Sequence, residues 1–262
     1  MDFTDSQLER YARHIMLPEV GGAGQARLLG ARVLVVGAGG LGSPLLLYLA
    51  AAGLGTLGVI DADVVDLSNL QRQVIHDGAS LGRPKVDSAA ERIRAINPDI
   101  TVERHHAKLT KANAAALISR YDVIADGTDN FSARFLINDA CFFAGKTLVS
   151  AAILRFEGQI STFKPHAGAS HPCYRCIFPE PPPPGLVPTC AEGGVFGALA
   201  GAVGSFQAME VLKEVLGIGD SLSGHLLLID GLTSIFRKIK IPRDPGCPLC
   251  GPSPAIRTLE TG

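Results

Sequence analysis

The sequence predicts an α/β fold: a mainly parallel sheet with helices between its strands, extended by antiparallel strands toward the C-terminus. Three observations predict it. Val33-Leu34-Val35-Val36 is a short apolar run rich in β-branched residues, which suits a strand buried on both faces. Gly37-x-Gly39-x-x-Gly42 follows at once and leads into the helical stretch 45–50, the strand–turn–helix fingerprint of a Rossmann-like nucleotide site. Beyond residue 152 the pattern changes from alternating strand and helix to paired strands.

Taken in order, residues 8–15 read as a short helix carrying Arg10 and Arg13, closed off by Pro18 and Gly21-Gly22. After the glycine turn and its helix, Leu57-Gly58-Val59-Ile60-Asp61 is a strand ending in an acid. Asp61 falls roughly 20 residues after the turn, where this fold places the carboxylate that accepts from a ribose hydroxyl. The polar stretch Ser68-Asn69-Leu70-Gln71-Arg72-Gln73 is longer than a simple connection needs. Pro84 then opens a helix that Asn97-Pro98 stops, and residues 100–103 form a strand before a helix over 110–119. Residues 121–126 read as a buried strand running into Gly127-Thr128-Asp129-Asn130 and a helix through Cys141, and 147–150 end the parallel set. Residues 153–163 alternate about Glu157-Gly158 as a hairpin, 164–190 are loop-rich with four prolines from Pro181 to Pro184, and 226–230 pairs with 234–239. The expected organisation is one continuous domain over 1–262, with a nucleotide-binding half at 8–152. The antiparallel extension, crossover loop and metal site occupy 153–250.

A chain of 262 residues with 47% hydrophobic residues can fill a sizeable core. Its net charge of −1 provides no basic field for nucleic acid, and the polar start Met1-Asp2-Phe3-Thr4-Asp5-Ser6 lacks the apolar core of a signal peptide. The apolar segment 193–212 is interrupted by Ser205, Gln207 and Glu210, which favours a buried helix over a membrane span. A cytoplasmic protein is the expectation.

Among six cysteines, Cys173-x-x-Cys176 and Cys247-x-x-Cys250 repeat one spacing, enough for four thiolates around a tetrahedral structural zinc. The alternative is four unrelated buried cysteines. The glycine turn lacks the lysine of a Walker P-loop, so phosphate charge has to be met by Arg72, Lys85 or Arg13 arriving from elsewhere. Such a cationic set suits attack at phosphorus, where negative charge must be dispersed, and hydride transfer has no use for it. Asp129, at the end of a strand, can hold Mg2+, with Asn130 beside it. Cys190 stands in a loop just before a helix that starts near Gly194, a position for a nucleophile whose alternative is an inert buried thiol, while Cys141 belongs to the core. The histidines show no ligand spacing.

Arg10-Tyr11-x-Arg13, the Gly37 turn, Asp61, residues 68–73, Pro84-Lys85 and Thr128-Asp129-Asn130 closely resemble the ubiquitin-activating-like (HesA/MoeB/ThiF-type) adenylyltransferases. Glu157-Gly158-Gln159-Ile160, both cysteine pairs and Gly204-Ser205-x-Gln207-Ala208-Met209-Glu210 continue the match from about residue 8 to 250. The chain looks most like the branch that activates ubiquitin-like sulfur carriers for molybdopterin synthase or thiamine biosynthesis.

The resemblance implies that the carrier's C-terminal Gly-Gly carboxylate attacks the α-phosphate of Mg·ATP, giving an acyl-adenylate and pyrophosphate. It implies that Gly37, Gly39, Gly40 and Gly42 back the nucleotide and that Asp61 accepts from its ribose. Asn69, Arg72 and Lys85 would contact the phosphates, with Ser68, Leu70 and Gln71 also in the nucleotide-binding set, while Asp129 holds Mg2+ and Asn130 lies beside it. Arg13 would reach the neighbouring subunit's phosphates, hence a homodimer. Cys190 matches a cysteine that bonds covalently to the carrier in some relatives and is dispensable in others. The chain stops soon after Cys250, so sulfur is expected from a separate sulfurtransferase or cysteine desulfurase. Three other readings compete: an NAD-dependent oxidoreductase with structural zinc, a non-catalytic module binding ubiquitin-like tails, and a same-fold enzyme acting on a tRNA base.

Overall fold

The computed structural model describes residues 3–183, 186 and 190–261, without the side chains of Cys190 and Ala191. Five parallel strands come first: β1 (Arg32–Val36), β2 (Thr56–Ile60), β3 (Thr101–His105), β4 (Val123–Asp126) and β5 (Thr147–Leu154). Three antiparallel strands, β6 (Glu157–Phe163), β7 (His225–Asp230) and β8 (Ile235–Lys240), complete one sheet in the order β3-β2-β1-β4-β5-β6-β7-β8. The expected α/β class, with its parallel core and antiparallel extension, is what the chain adopts.

Side chains of β1 alternate between two cores. Val33 and Val35 face α3 (Gly42–Ala51), α4 (Lys85–Ile96) and α8 (Gly197–Leu216), packing with Leu45, Leu49, Ile93 and Val211. Leu34 and Val36 face α5 (Lys111–Ile118) and α6 (Phe131–Ala144), packing with Ile118, Phe135 and Cys141. Helices on both faces follow from right-handed crossovers between parallel strands. The strand order reverses between β1 and β4, the position at which such sheets bind ligands.

Two local readings are corrected. The glycines after Pro18 do not merely end α1 (Asp5–Ile15); they open α2 (Gly21–Gly30). Further along α2, a Cβ on Gly24 would stand 3.2 Å from Leu216 Cδ2, so glycine here permits close helix packing. The hairpin turns at Arg155-Phe156, not at Glu157-Gly158: β5 runs on through Leu154, and Leu154 pairs with Glu157. Gly158 sits inside β6 because α8 lies against it, and a Cβ there would come within 2.5 Å of Val203 Cγ2.

The glycine turn is constrained sharply. Gly37 has φ +95°, and a Cβ on Gly42 would sit 2.0 Å from the Gly37 carbonyl oxygen. Gly42→Ala is therefore expected to cost about 3 kcal/mol or more of folding stability, read as a lower urea midpoint.

Candidate nucleotide site and cysteine clip

The carboxyl ends of β1, β2 and β4 converge on a cavity of about 530 Å3. It is lined by Gly37, Gly39 and Gly40 from the turn, Asp61 and Asp63 after β2, and Arg72 and Lys85 from the long connection. Asp129 and Asn130 at the start of α6 complete this polar set. Ala107, Leu109 and Leu136 add an apolar wall. Each polar group arrives for a local reason.

The Asp61 carboxylate accepts from Ala38 N (2.8 Å) and from Asp63 N (2.8 Å), so it fastens the glycine turn as well as facing the cavity. Lys85 is the first residue of α4; its Nζ is buried and paired with Asp63 at 2.9 Å. Arg72 donates from Nη1 to the Ser68 carbonyl at 3.0 Å, while its stem lies along Gly40. The backbone N–H groups of Gly39 and Gly40 donate to no acceptor among the described residues. Asp129 is exposed, and Asn130 caps α6 by accepting from Ala133 N at 2.9 Å. Beneath this loop Asp126, wholly buried, accepts from Thr128 and from Ser150 Oγ, and Arg134 Nη2 holds the Thr128 carbonyl at 3.0 Å.

Not every expected residue lines the cavity. Gly42 braces the turn from below. Ser68 and Asn69 belong to a short helical turn in which the Asp66 side chain accepts from Ser68 N and the Asn69 side chain accepts from Asp66 N. Leu70 is half-buried, and the Gln71 backbone packs on the start of α8, where a Cβ on Gly197 would meet its carbonyl at 2.4 Å. Of the stretch 68–72, Arg72 alone reaches the lining within one chain. Arg13 is exposed near the end of α1, outside the cavity.

Cys190 begins a four-residue helix, α7 (Cys190–Gly193), and the long helix starts at Gly197 instead of near Gly194. Its side chain, like Pro184 in the proline run, lies outside the described residues. Cys141 is core, and burial pushes its thiol pKa well up.

Sequence reasoning named Gln73 in the stretch 68–73 without giving it a role, and it missed His76. Both are buried, and the Gln73 Oε1 has no hydrogen-bond partner among the described residues while Gln73 lines the cavity. Gln73 is the last residue of the motif stretch 68–73, which was the available signal; the wall at 107–109 carried none.

Burial lowers the pKa of His76, of His105 and of His166. An unfolded histidine titrates near 6.5, so below about pH 6.5 the unfolded chain takes up protons that these folded imidazoles refuse. Stability then rises with pH through this window and is lost as pH falls. Thermal scans between pH 7.5 and 5.5 are expected to show a falling Tm, with a shallower slope in His76→Gln.

The second cluster is separate. The Sγ atoms of Cys173, Cys176, Cys247 and Cys250 all lie within 4.8 Å of one another. Cys173–Cys247 is 3.6 Å, Cys173–Cys176 3.9 Å and Cys176–Cys250 3.4 Å. A tetrahedral Zn–S4 centre with bonds of about 2.3 Å requires S···S edges of about 3.8 Å, which these separations match. The first pair is gripped by α6: Arg175 makes a bidentate buried contact to Asp139 (2.8 and 2.7 Å), and Tyr174 N donates to Asn138 Oδ1 at 2.8 Å. Among the described residues no helix is long and apolar enough to cross a membrane.

This is a Rossmann-like α/β protein with a polar cavity at the strand switch point and a cysteine clip that fits a metal. The ThiF family matches residues 11–249, and the chain belongs to it. It is 50% identical over 261 residues to the sulfur carrier protein adenylyltransferase of Thermus thermophilus, covering 99% of this chain and 96% of that one. The SAMP-activating enzyme E1 of Haloferax volcanii is 50% identical over 246 residues, 94% of this chain and 90% of the relative. The probable adenylyltransferase/sulfurtransferase MoeZ of Mycobacterium tuberculosis is 53% identical over 92% of this chain, which spans only 62% of MoeZ. Among solved structures, E. coli MccB with a succinimide shares the fold at a TM-score of 0.79 and 20% identity, over 95% of this chain and 75% of that one.

Proposed function

We propose that this chain is an adenylyltransferase that activates the C-terminal glycine carboxylate of a ubiquitin-like sulfur carrier with ATP. The carboxylate oxygen bonds to the α-phosphorus, the α–β phosphoanhydride breaks, and pyrophosphate leaves with the electron pair. The observation that carries this reading is the convergence of Arg72 and Lys85, from two different segments, on a glycine turn that has no lysine of its own. Two cations and unpaired backbone donors suit a polyphosphate whose charge shifts during the reaction. They exceed what a dinucleotide used for hydride transfer would need. The names of the full-length relatives favour the same chemistry.

In this reading Asp61 holds the ribose hydroxyls while fastening Ala38, and the wall at Ala107, Leu109 and Leu136 takes the base. Arg72, Lys85 and the Gly39 and Gly40 amides meet the phosphates. Asp129, which makes no hydrogen bond or ion pair among the described residues, suits Mg2+, which takes one or two carboxylates together with phosphate oxygens. Mg2+ would neutralise charge between phosphates. Zinc at the four cysteines would be structural. The single-domain organisation, Arg13 supplied by a second copy in a homodimer, and sulfur delivered by a separate sulfurtransferase or cysteine desulfurase belong to the same proposal.

The test is carrier-dependent ATP–pyrophosphate exchange with carriers ending in Gly-Gly, of molybdopterin-synthase and thiamine type. Exchange that needs both carrier and Mg2+ supports the reading, and its absence with every such carrier sinks it. Tight NAD binding without ATP binding would favour the oxidoreductase. For the dimer, mixing Arg13→Ala with Lys85→Ala chains should restore part of the activity that each lacks alone.

A further inference from the structure

We infer that His76 is a positioning residue for the nucleotide site: held from behind by Ser88, it fixes the Ala38 carbonyl and so aims the Gly39 N–H at the polyphosphate. The inference rests on the proposed use of ATP and assigns a role to a residue outside the motif set. His76 is 6% exposed and bonds at both ring nitrogens. Nε2 lies 2.9 Å from the Ala38 carbonyl oxygen and Nδ1 lies 2.9 Å from Ser88 Oγ. A carbonyl only accepts, so Nε2 carries the proton; Nδ1 of the neutral ring then accepts from the Ser88 hydroxyl. The tautomer follows from the partners, and burial, which disfavours the charged ring, agrees with it.

The consequence for the site comes from peptide geometry. The Ala38 carbonyl and the Gly39 N–H belong to one planar trans peptide and point in opposite directions. Fixing the oxygen against His76 therefore turns the N–H away from His76. Gly39 lines the cavity, and its N–H has no acceptor among the described residues. The preceding peptide is fixed as well, because Ala38 N donates to Asp61 Oδ2 at 2.8 Å. One residue of the turn is thus held on one side by the group that faces the ribose and on the other by His76. Ser88 lies on α4, one turn beyond Lys85, so the same relay keeps the turn in register with the helix that brings the lysine. A preorganised donor of this kind is effective because it need not reorient when the anion arrives.

Titration of the full-length chain with ATP and with adenosine, by displacement of a fluorescent nucleotide, tests this. His76→Phe keeps a ring but loses the donor and is expected to weaken ATP about tenfold while leaving adenosine within about twofold. His76→Gln places an amide N–H near the position of Nε2 and is expected to recover ATP binding to within about threefold. Unchanged ATP affinity in His76→Phe, or an equal loss for ATP and adenosine, overturns the assignment. Should His76→Phe fail to fold, 15N spectra of the unsubstituted chain decide. Protonated Nε2 with bare Nδ1, and a Gly39 amide moved by ATP but not by adenosine, support it; the opposite tautomer or an unmoved amide overturns it. If the unsubstituted chain binds adenosine and ATP equally poorly, the proposed function itself fails, a result that does not depend on any His76 variant.

Discussion

Lys85→Ala is expected to slow carrier-dependent ATP–pyrophosphate exchange about 10²–10³-fold at saturating ATP, the scale of losing one preorganised donor at a charged reacting centre. The structure gives the loss two parts. The substitution removes a cation that faces the cavity from a buried position, and it leaves the Asp63 carboxylate, 70% exposed at the same rim, without its partner. An uncompensated acid would then repel the polyphosphate. Asp63→Asn separates the parts: it keeps the lysine and removes the repulsion, and exchange should stay within about threefold of the unsubstituted chain. If Asp63→Asn were as damaging as Lys85→Ala, the lysine would be serving the fold and not the phosphates. Arg72→Ala should act like Lys85→Ala, because Arg72 lines the cavity with its stem along Gly40 and its guanidinium spends only one nitrogen on the Ser68 carbonyl. Equal Tm values for each variant and the unsubstituted chain would place the loss in the chemistry.

The parallel half of the fold was legible because its strands are short, apolar and punctuated. Val33 to Val36 needs burial on both faces, and the residues around it supply exactly that kind of cover from two sets of helices. Glycine misled wherever its reason was tertiary. Gly24 sits inside α2 because Leu216 is close, and Gly158 sits inside β6 because Val203 is close. From sequence alone Gly21-Gly22 reads as a break and Gly158 as a turn, since the neighbours that pack on α2 and β6 lie dozens of residues away. Positions that the pattern of elements locates, such as Asp61 just after β2 and Lys85 after the Pro84 helix start, were readable as members of the cavity.

What the sequence could not disclose were groups joined only by the fold. His76 reaches back 38 residues to Ala38, and Arg175 reaches 36 residues to Asp139 on α6. Neither pairing leaves a periodic or spacing signal. Ser68 and Asn69 illustrate the converse: the stretch is recognisable, yet local hydrogen bonding occupies the Asn69 side chain within its own turn. Arg13 lies outside the cavity of its own chain, so nothing within one chain gives it a place at the nucleotide site.

Removing metal is expected to release the C-terminal side of the cysteine clip before the rest of the fold. The purified chain should carry about one zinc per protomer, and chelation or Cys247→Ser should lower Tm substantially, because binding energy at a structural thiolate site is folding energy. The two cysteine pairs are not held alike. Cys173 and Cys176 flank Tyr174 and Arg175, which α6 grips through Asn138 and a buried bidentate Asp139 contact that needs no metal. Cys247 and Cys250 depend on the buried Leu249 and on Arg243, whose Nη1 contacts reach the Pro165 and Gly168 carbonyls at 3.4 and 3.3 Å. Limited proteolysis of the zinc-free chain should therefore cut beyond residue 240 and spare 173–176. Asp139→Asn in the zinc-loaded chain should leave metal content intact while weakening the α6 grip, because the metal then carries the restraint alone. Loss of turnover in Cys173→Ser with metal content and Tm unchanged would contradict a structural role, because a structural ligand can act on the distant cavity only through the fold it maintains.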